Sequence, residues 1–146
     1  MTRWVVITAL VIGGACAAGR AAPLDPVMGD DACAHCRMTI VSRATAAQIA
    51  RSGDEPVFFD DLGCLRDYLL HQRAPDDAVI YVADHRSGAW VDARAARFTK
   101  TDTATPMASG LLAHADERSR GADPSAAAGT PVAARDVLKS PERINP

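Results

Sequence analysis

Val57-Phe58-Phe59-Asp60-Asp61-Leu62-Gly63-Cys64-Leu65 is the stretch on which the fold turns. Its three leading apolar residues, β-branched and aromatic, follow the turn-forming run Ser52-Gly53-Asp54-Glu55-Pro56 and read as a short buried strand. Asp61 is a good N-cap, and Leu62, Leu65, Tyr68 and Leu69 then fall on one helical face, which predicts a helix to about Gln72. Gly63 in the first turn lowers the propensity slightly. Upstream, β-branched residues predict a strand through about Ser42 and another piece at residues 46–51, the latter forming a hairpin with residues 57–59. Downstream, Ala78-Val79-Ile80-Tyr81-Val82-Ala83 is a continuous apolar run of the kind found in central strands. The order is strand, strand, helix, strand.

The remainder is less regular. Ala89-Trp90-Val91, Phe98-Thr99 and residues 111–115 read as strands, and residues 101–106 as a polar loop that delivers Met107. Residues 132–138 supply a last strand or helical turn. Gly121, Pro124 and Gly129 loosen the segment between.

A chain of 146 residues is one domain by size, and with aromatics at only 5% its core is modest. The net charge of -2, with both signs interspersed and no basic block, sets nucleic-acid binding aside.

Chemistry concentrates in Cys33-Ala34-His35-Cys36-Arg37-Met38. Thiolate and thioether are soft donors, and together they favour Cu(I). If the chain leaves the turn as a strand, Cys36 and Met38 share a face, and three sulfurs converge. A local disulfide or redox pair, and a structural zinc site completed by Cys64 and a histidine, remain open alternatives. The β-branched Thr39-Ile40-Val41 after the pair counts against a thioredoxin-type motif, which opens a helix. Met107, between Pro106 and Ala108-Ser109-Gly110, has little to pack against and is a candidate thioether ligand at a loop tip. Cys64 is either a thiolate favoured by the first turn of the helix or a small buried apolar residue. His35 and His114 are candidate ligands for borderline metals, whereas His71 and His85 read as surface residues. The pairs Asp60/Asp61 and Asp76/Asp77 read as caps and solvated loop residues. No Ser-His-Asp set, phosphate loop or zinc-protease motif is present, so the chain is not expected to be an enzyme.

The N-terminus reads as an export signal, with Arg3 ahead of an apolar run from Trp4 to Ala15 that is shorter than the roughly 20 residues of a membrane span. Small residues around Cys16 fit the bacterial lipoprotein pattern, in which Cys16 is lipidated and becomes the mature N-terminus. Gly13 stands where leucine is usual, and cleavage after Ala17 or Ala21 is the alternative. The expected organisation is a signal peptide at 1–15, an anchor linker at 16–31 that needs no structure of its own, a domain at 32–138 and a disordered tail at 139–146. The working domain lies outside the cytoplasm. With Cys16 lipidated or removed, three cysteines remain, and an odd count weakens a disulfide-stapled scaffold.

Three blocks in order resemble the NosL-type nitrous oxide reductase accessory proteins, a family of exported copper-binding lipoproteins. They are Asp31-Ala-Cys33-Ala-His-Cys36-Arg-Met38, Phe58-Phe59-Asp60-Asp61-Leu62-Gly63-Cys64 and Pro106-Met107-Ala-Ser-Gly110-Leu, with Trp90-Val91-Asp92 between the last two. Arg37 and Ala108 stand where the family commonly has glycine. The resemblance implies an α+β domain of two ββαβ-like units, the second hinging on a helix that Gly121 and Pro124 interrupt. It further implies a membrane-anchored Cu(I) chaperone of the bacterial cell envelope, facing the periplasm. Its partners would be apo nitrous oxide reductase and the membrane-bound assembly machinery of that enzyme. The ligand candidates carried over are Cys33, Cys36, Met38 and Met107, with Cys64 in second rank. The rivals are an exported thiol-disulfide redox protein, copper delivery to another cuproprotein and, from fold kinship with organomercurial lyase alone, cleavage of carbon-mercury bonds.

Overall fold

The computed structural model describes residues 20–139. The expected signal peptide, the lipidation site Cys16 and most of the expected tail lie outside the described residues. No helix among those described is long and apolar enough to cross a membrane.

The hairpin of β1 (Ala47–Ala50) and β2 (Val57–Phe59) leads into helix α1 (Leu62–His71), which returns the chain to β3 (Val79–Ala83). β4 (Trp90–Asp92) pairs with β3 and completes an antiparallel sheet of order β2-β1-β3-β4. The chain then repeats the pattern with β5 (Arg97–Lys100), β6 (Leu111–His114), the short helix α2 (Glu117–Gly121) and β7 (Thr130–Val132). The second sheet has the order β6-β5-β7, which mirrors β2-β1-β3 in the first. Two ββαβ units therefore follow each other. In the second, the helix stops at Gly121, and a 3-10 turn at Pro124–Ala126 bridges to β7. A last helical turn, α3 (Ala134–Val137), packs on α1.

One core serves both sheets. Leu62, Leu65 and Leu69 of α1 are buried together with Phe59, Val82, Phe98, Leu111 and Val137, and each such side chain contributes roughly 1.5–3 kcal/mol. Tyr68, on the flank of the same face, stacks edge-on against Phe59 at 5.1 Å. Cys33 and Cys64 belong to this core.

The expected strand at residues 39–42 does not form, apart from a single bridge between Thr39 and Ala32. Its backbone bonds go elsewhere: the Asp60 carboxylate accepts from the N–H groups of Val41 and Ser42 at 2.7 and 3.0 Å. Residues 20–31 lie against the first sheet. The wholly buried Gln48 presents its amide to Leu24 like an adjacent strand, donating to Leu24 O at 2.7 Å and accepting from Leu24 N at 3.0 Å. Tyr81 donates to Ala21 O at 2.7 Å. Asp25 accepts from the Trp90 indole at 2.9 Å and pairs with Arg43, whose guanidinium lies 3.7 Å over the Trp90 ring.

Asp60 and Asp61 are buried rather than solvated, at 3% and 0% exposure. Asp61 caps α1 by accepting from Gly63 N at 2.6 Å, as the sequence predicts. Its other oxygen accepts from Thr105 Oγ1 at 2.6 Å and Met107 N at 3.0 Å. Burial pushes the Asp61 carboxyl up, but these bonds and one from Ser109 outweigh it, so the net shift is downward. A depressed carboxyl stabilises the fold above its unfolded value, about 3.9, and that contribution fades as pH falls through the folded value. Asp61→Ala should therefore cost about 2–4 kcal/mol near neutrality, combining a lost cap with lost charge-assisted bonds. Denaturant melts at neutral pH and below pH ~4 should show the gap between wild type and variant closing in acid.

Candidate metal centre

The sulfur turn is built by its own backbone. Cys33 N donates to Met38 O at 2.7 Å and Arg37 N to Cys33 O at 2.9 Å, which closes a loop across residues 33–38. Ala34 N donates to Phe58 O at 2.9 Å and hangs the turn on β2. Arg37 is in the left-handed region at φ 67°, so the chain doubles back there instead of extending. Cys36 and Met38 therefore do not stand in one strand.

The sulfurs that meet are those of Cys33, Cys36 and Cys64, all within 4.8 Å of one another. Cys64 reaches them from the first turn of α1, which the Asp61 cap fixes in place. All three are free thiols. Cys33 and Cys64 are buried at 0% and 3% exposure, and Cys36 is half-buried. Among the described residues, no histidine or carboxylate joins the three.

Their environments differ. Burial raises the Cys33 thiol, but hydrogen bonds from the backbone N–H groups of Cys36, Asp60 and His35, and from the Cys36 thiol, carry the net shift downward. Burial, followed by the charge and hydrogen bonding of Cys33 and Cys36, pushes Cys64 up. The surroundings thus favour the thiolate at Cys33 and the thiol at Cys64. A soft cation in the middle would offset both the burial and the neighbouring charge that push Cys64 up.

A cleft of about 330 Å³ opens beside Cys64, lined by His35, Arg66, Asp67, Met107 and Ser109 among others. Met107 stands on its rim at 43% exposure. Its loop is held to the start of α1 by Asp61 and allowed close by Gly63, where a Cβ would meet Ser109 Cβ at 2.6 Å. The glycine that weakened the helix prediction is thus a point of close approach between the second unit and the first. Met38 is 59% exposed and does not line this cleft. His35 and His71 are exposed, whereas His114 is wholly buried and His85, partly exposed, pairs with Asp123.

Ala108, beside Met107, is also left-handed at φ 54°. Two non-glycine residues thus adopt strained backbone next to the sulfur side chains. Relief of roughly 1–2 kcal/mol of left-handed strain, less about 0.5–1 kcal/mol of added unfolded-chain entropy, makes Arg37→Gly and Ala108→Gly each stabilising by up to ~1 kcal/mol. Denaturant midpoints at unchanged m-value check this, and a loss of stability at either position would contradict the left-handed assignment.

A family model described as NosL matches residues 23–122. Among solved structures, the chain is similar to the crystal structure of the copper chaperone NosL from Shewanella denitrificans, with a TM-score of 0.54 at 14% identity. The similarity covers 66% of this chain and 81% of that one. At this identity, the likeness speaks for the fold. No curated protein matches the chain.

Proposed function

The chain belongs to the NosL family, and from that premise we propose that it is a membrane-anchored, periplasm-facing Cu(I) chaperone. Its copper is cargo for the metal centres of apo nitrous oxide reductase, handed over with that enzyme's membrane-bound assembly machinery. The anchor is a lipid on Cys16. The observation that carries the copper reading is the convergence of the Cys33, Cys36 and Cys64 sulfurs within 4.8 Å, with no harder donor among them. Three soft thiol donors, joined by no histidine or carboxylate among the described residues, suit Cu(I), whereas structural zinc takes four ligands.

Burial argues in the same direction. A thiol-disulfide exchange protein needs an attacking sulfur open to its partner, and here only Cys36 is more than marginally accessible. A buried thiolate site instead shields a cuprous ion from water and oxygen. The cleft beside Cys64 gives an acceptor one way in, and the exposed Met107 stands at its rim. In this reading, the thiols retain the ion, and the neutral thioether of Met107 is the ligand first given up to the acceptor. Met38, exposed on the far flank of the turn, serves as a second weak contact.

Anaerobic Cu(I) titration against a competing chelator, read with mass spectrometry on membrane-released protein, tests the assignment. About one Cu(I) per chain is expected. Cys33→Ser, Cys36→Ser and Cys64→Ser should each weaken binding by at least tenfold, or ~1.4 kcal/mol. Met107→Leu should leave more affinity than any of these but slow transfer to apo nitrous oxide reductase. An affinity indifferent to Cys64→Ser would sink the three-thiol site, and unchanged affinity and transfer in a Met38→Ala, Met107→Leu double variant would remove the thioether role. Turnover in a disulfide-exchange assay, with no copper retained, would instead select the redox reading.

A further inference from the structure

His85 follows β3, His114 ends β6, and Asp123 precedes the 3-10 turn after α2. The fold brings the three side chains onto one point. Asp123 Oδ2 lies 2.6 Å from His85 Nδ1 and 2.9 Å from His114 Nε2. All three candidate ligand atoms are within 4.8 Å of one another, and the two rings face each other edge-on at 6.2 Å. The group shares no residue with the thiol cluster.

The surroundings hold these atoms in place and leave one side open. Asp123 Oδ1 accepts from Ser125 N at 2.9 Å, which turns the other oxygen toward the imidazoles. The Asp123 backbone N donates to Arg120 O at 3.1 Å, and His85 N donates to Ala113 O at 2.8 Å. The His114 and Asp123 side chains are 0% and 5% exposed, whereas His85 is 19% exposed and forms the outer wall. Burial raises the Asp123 carboxyl, but bonds from His114 and His85 outweigh it and hold it at about 2, so the oxygen is anionic near neutrality. His114 Nδ1 is buried with no hydrogen-bond partner, so the Asp123 carboxylate at Nε2 is the group that holds the ring proton.

A buried carboxylate between two imidazoles is an expensive way to join three segments that apolar side chains could join as well. Two imidazole nitrogens and one carboxylate oxygen are, however, the donor set of a borderline divalent cation held by three protein ligands with a fourth position open. We propose that His85 Nδ1, His114 Nε2 and Asp123 Oδ2 form a second metal site, for a borderline divalent cation such as Zn(II), separate from the thiol cluster. The ligands come from the turn after β3, the end of β6 and the exit of α2, so the ion clamps the second unit at its short helix α2 and ties it to the first sheet. On binding, the two imidazole protons that bond the carboxylate move to the opposite ring nitrogens, and the cation takes their place.

Titration of Zn(II) into the intact, reduced chain, followed by the imidazole nitrogen resonances of the assigned histidines, tests this site. A saturable response of one equivalent should move His85 Nδ1 and His114 Nε2 together while the exposed His71 stays fixed, whatever zinc does at the thiols and at His35 beside them. His85→Ala, a partly exposed position whose loss leaves the core filled, should remove the His114 response and lower the zinc stoichiometry by one. Asp123→Asn should weaken this equivalent by at least ~100-fold, since even an outer-shell partner costs about 10–100-fold. Zinc taken up with His85 and His114 unmoved, or a stoichiometry and affinity unchanged in folded His85→Ala, would overturn the proposal. The readout is the imidazoles, so failure of the thiols to hold Cu(I) leaves it intact.

Discussion

Two adjacent carboxylates with opposite duties set the geometry of the molecule. In the extended backbone after β2, successive side chains point apart, and Asp60 and Asp61 use that alternation to reach two different segments. Asp60 takes the N–H groups of Val41 and Ser42 and so fastens the chain that leaves the sulfur turn. Asp61 caps α1 with one oxygen and holds the Met107 loop with the other. Both are buried, and each is satisfied by donors from segments remote in sequence. Neither group alone makes a site. Together they bring the turn bearing Cys33 and Cys36, the helix start bearing Cys64 and the loop bearing Met107 to a single place.

Much of the architecture is legible because local and tertiary signals agree. The β1–β2 hairpin, the Asp61 cap, the Leu62-Leu65-Leu69 stripe and the apolar run of β3 each satisfy a local rule and also face the common core. The misreadings occur where tertiary bonds replace local ones. Thr39-Ile40-Val41 has strand composition, but Ile40 N donates to Asp31 O and the donors of Val41 and the following Ser42 are taken by the Asp60 carboxylate from across the fold, so the ladder stops at one bridge. The alternation that would set Cys36 beside Met38 fails at Arg37, where a left-handed residue reverses the chain. Such a conformation is rare for arginine, and its composition gives no warning. Asp60 and Asp61 look solvated because their donors are distant in sequence, and His85 looks exposed because Asp123 is.

The candidate site follows the same division. The CxxC turn announces itself, but Cys64 has two equal readings in sequence because proximity decides between them. The structure places its sulfur with the other two. Gly63 is a propensity defect until Ser109 is seen against it. The matching strand orders of the two sheets, with one helix ten residues long and the other five, show how unequally the units are equipped. The first carries the long helix and every cysteine of the cluster. The second contributes a loop, a short helix and the polar group around Asp123.

Cys33 and Cys64 are members of the hydrophobic core as well as of the sulfur cluster. Where interior packing doubles as a binding pocket, occupancy and packing are coupled. A vacant chamber would either relax inward, narrowing around the missing occupant, or stay cocked at the expense of the surrounding packing. An ion bound only by the folded arrangement of those thiols would add to stability by mass action, which links occupancy to folding.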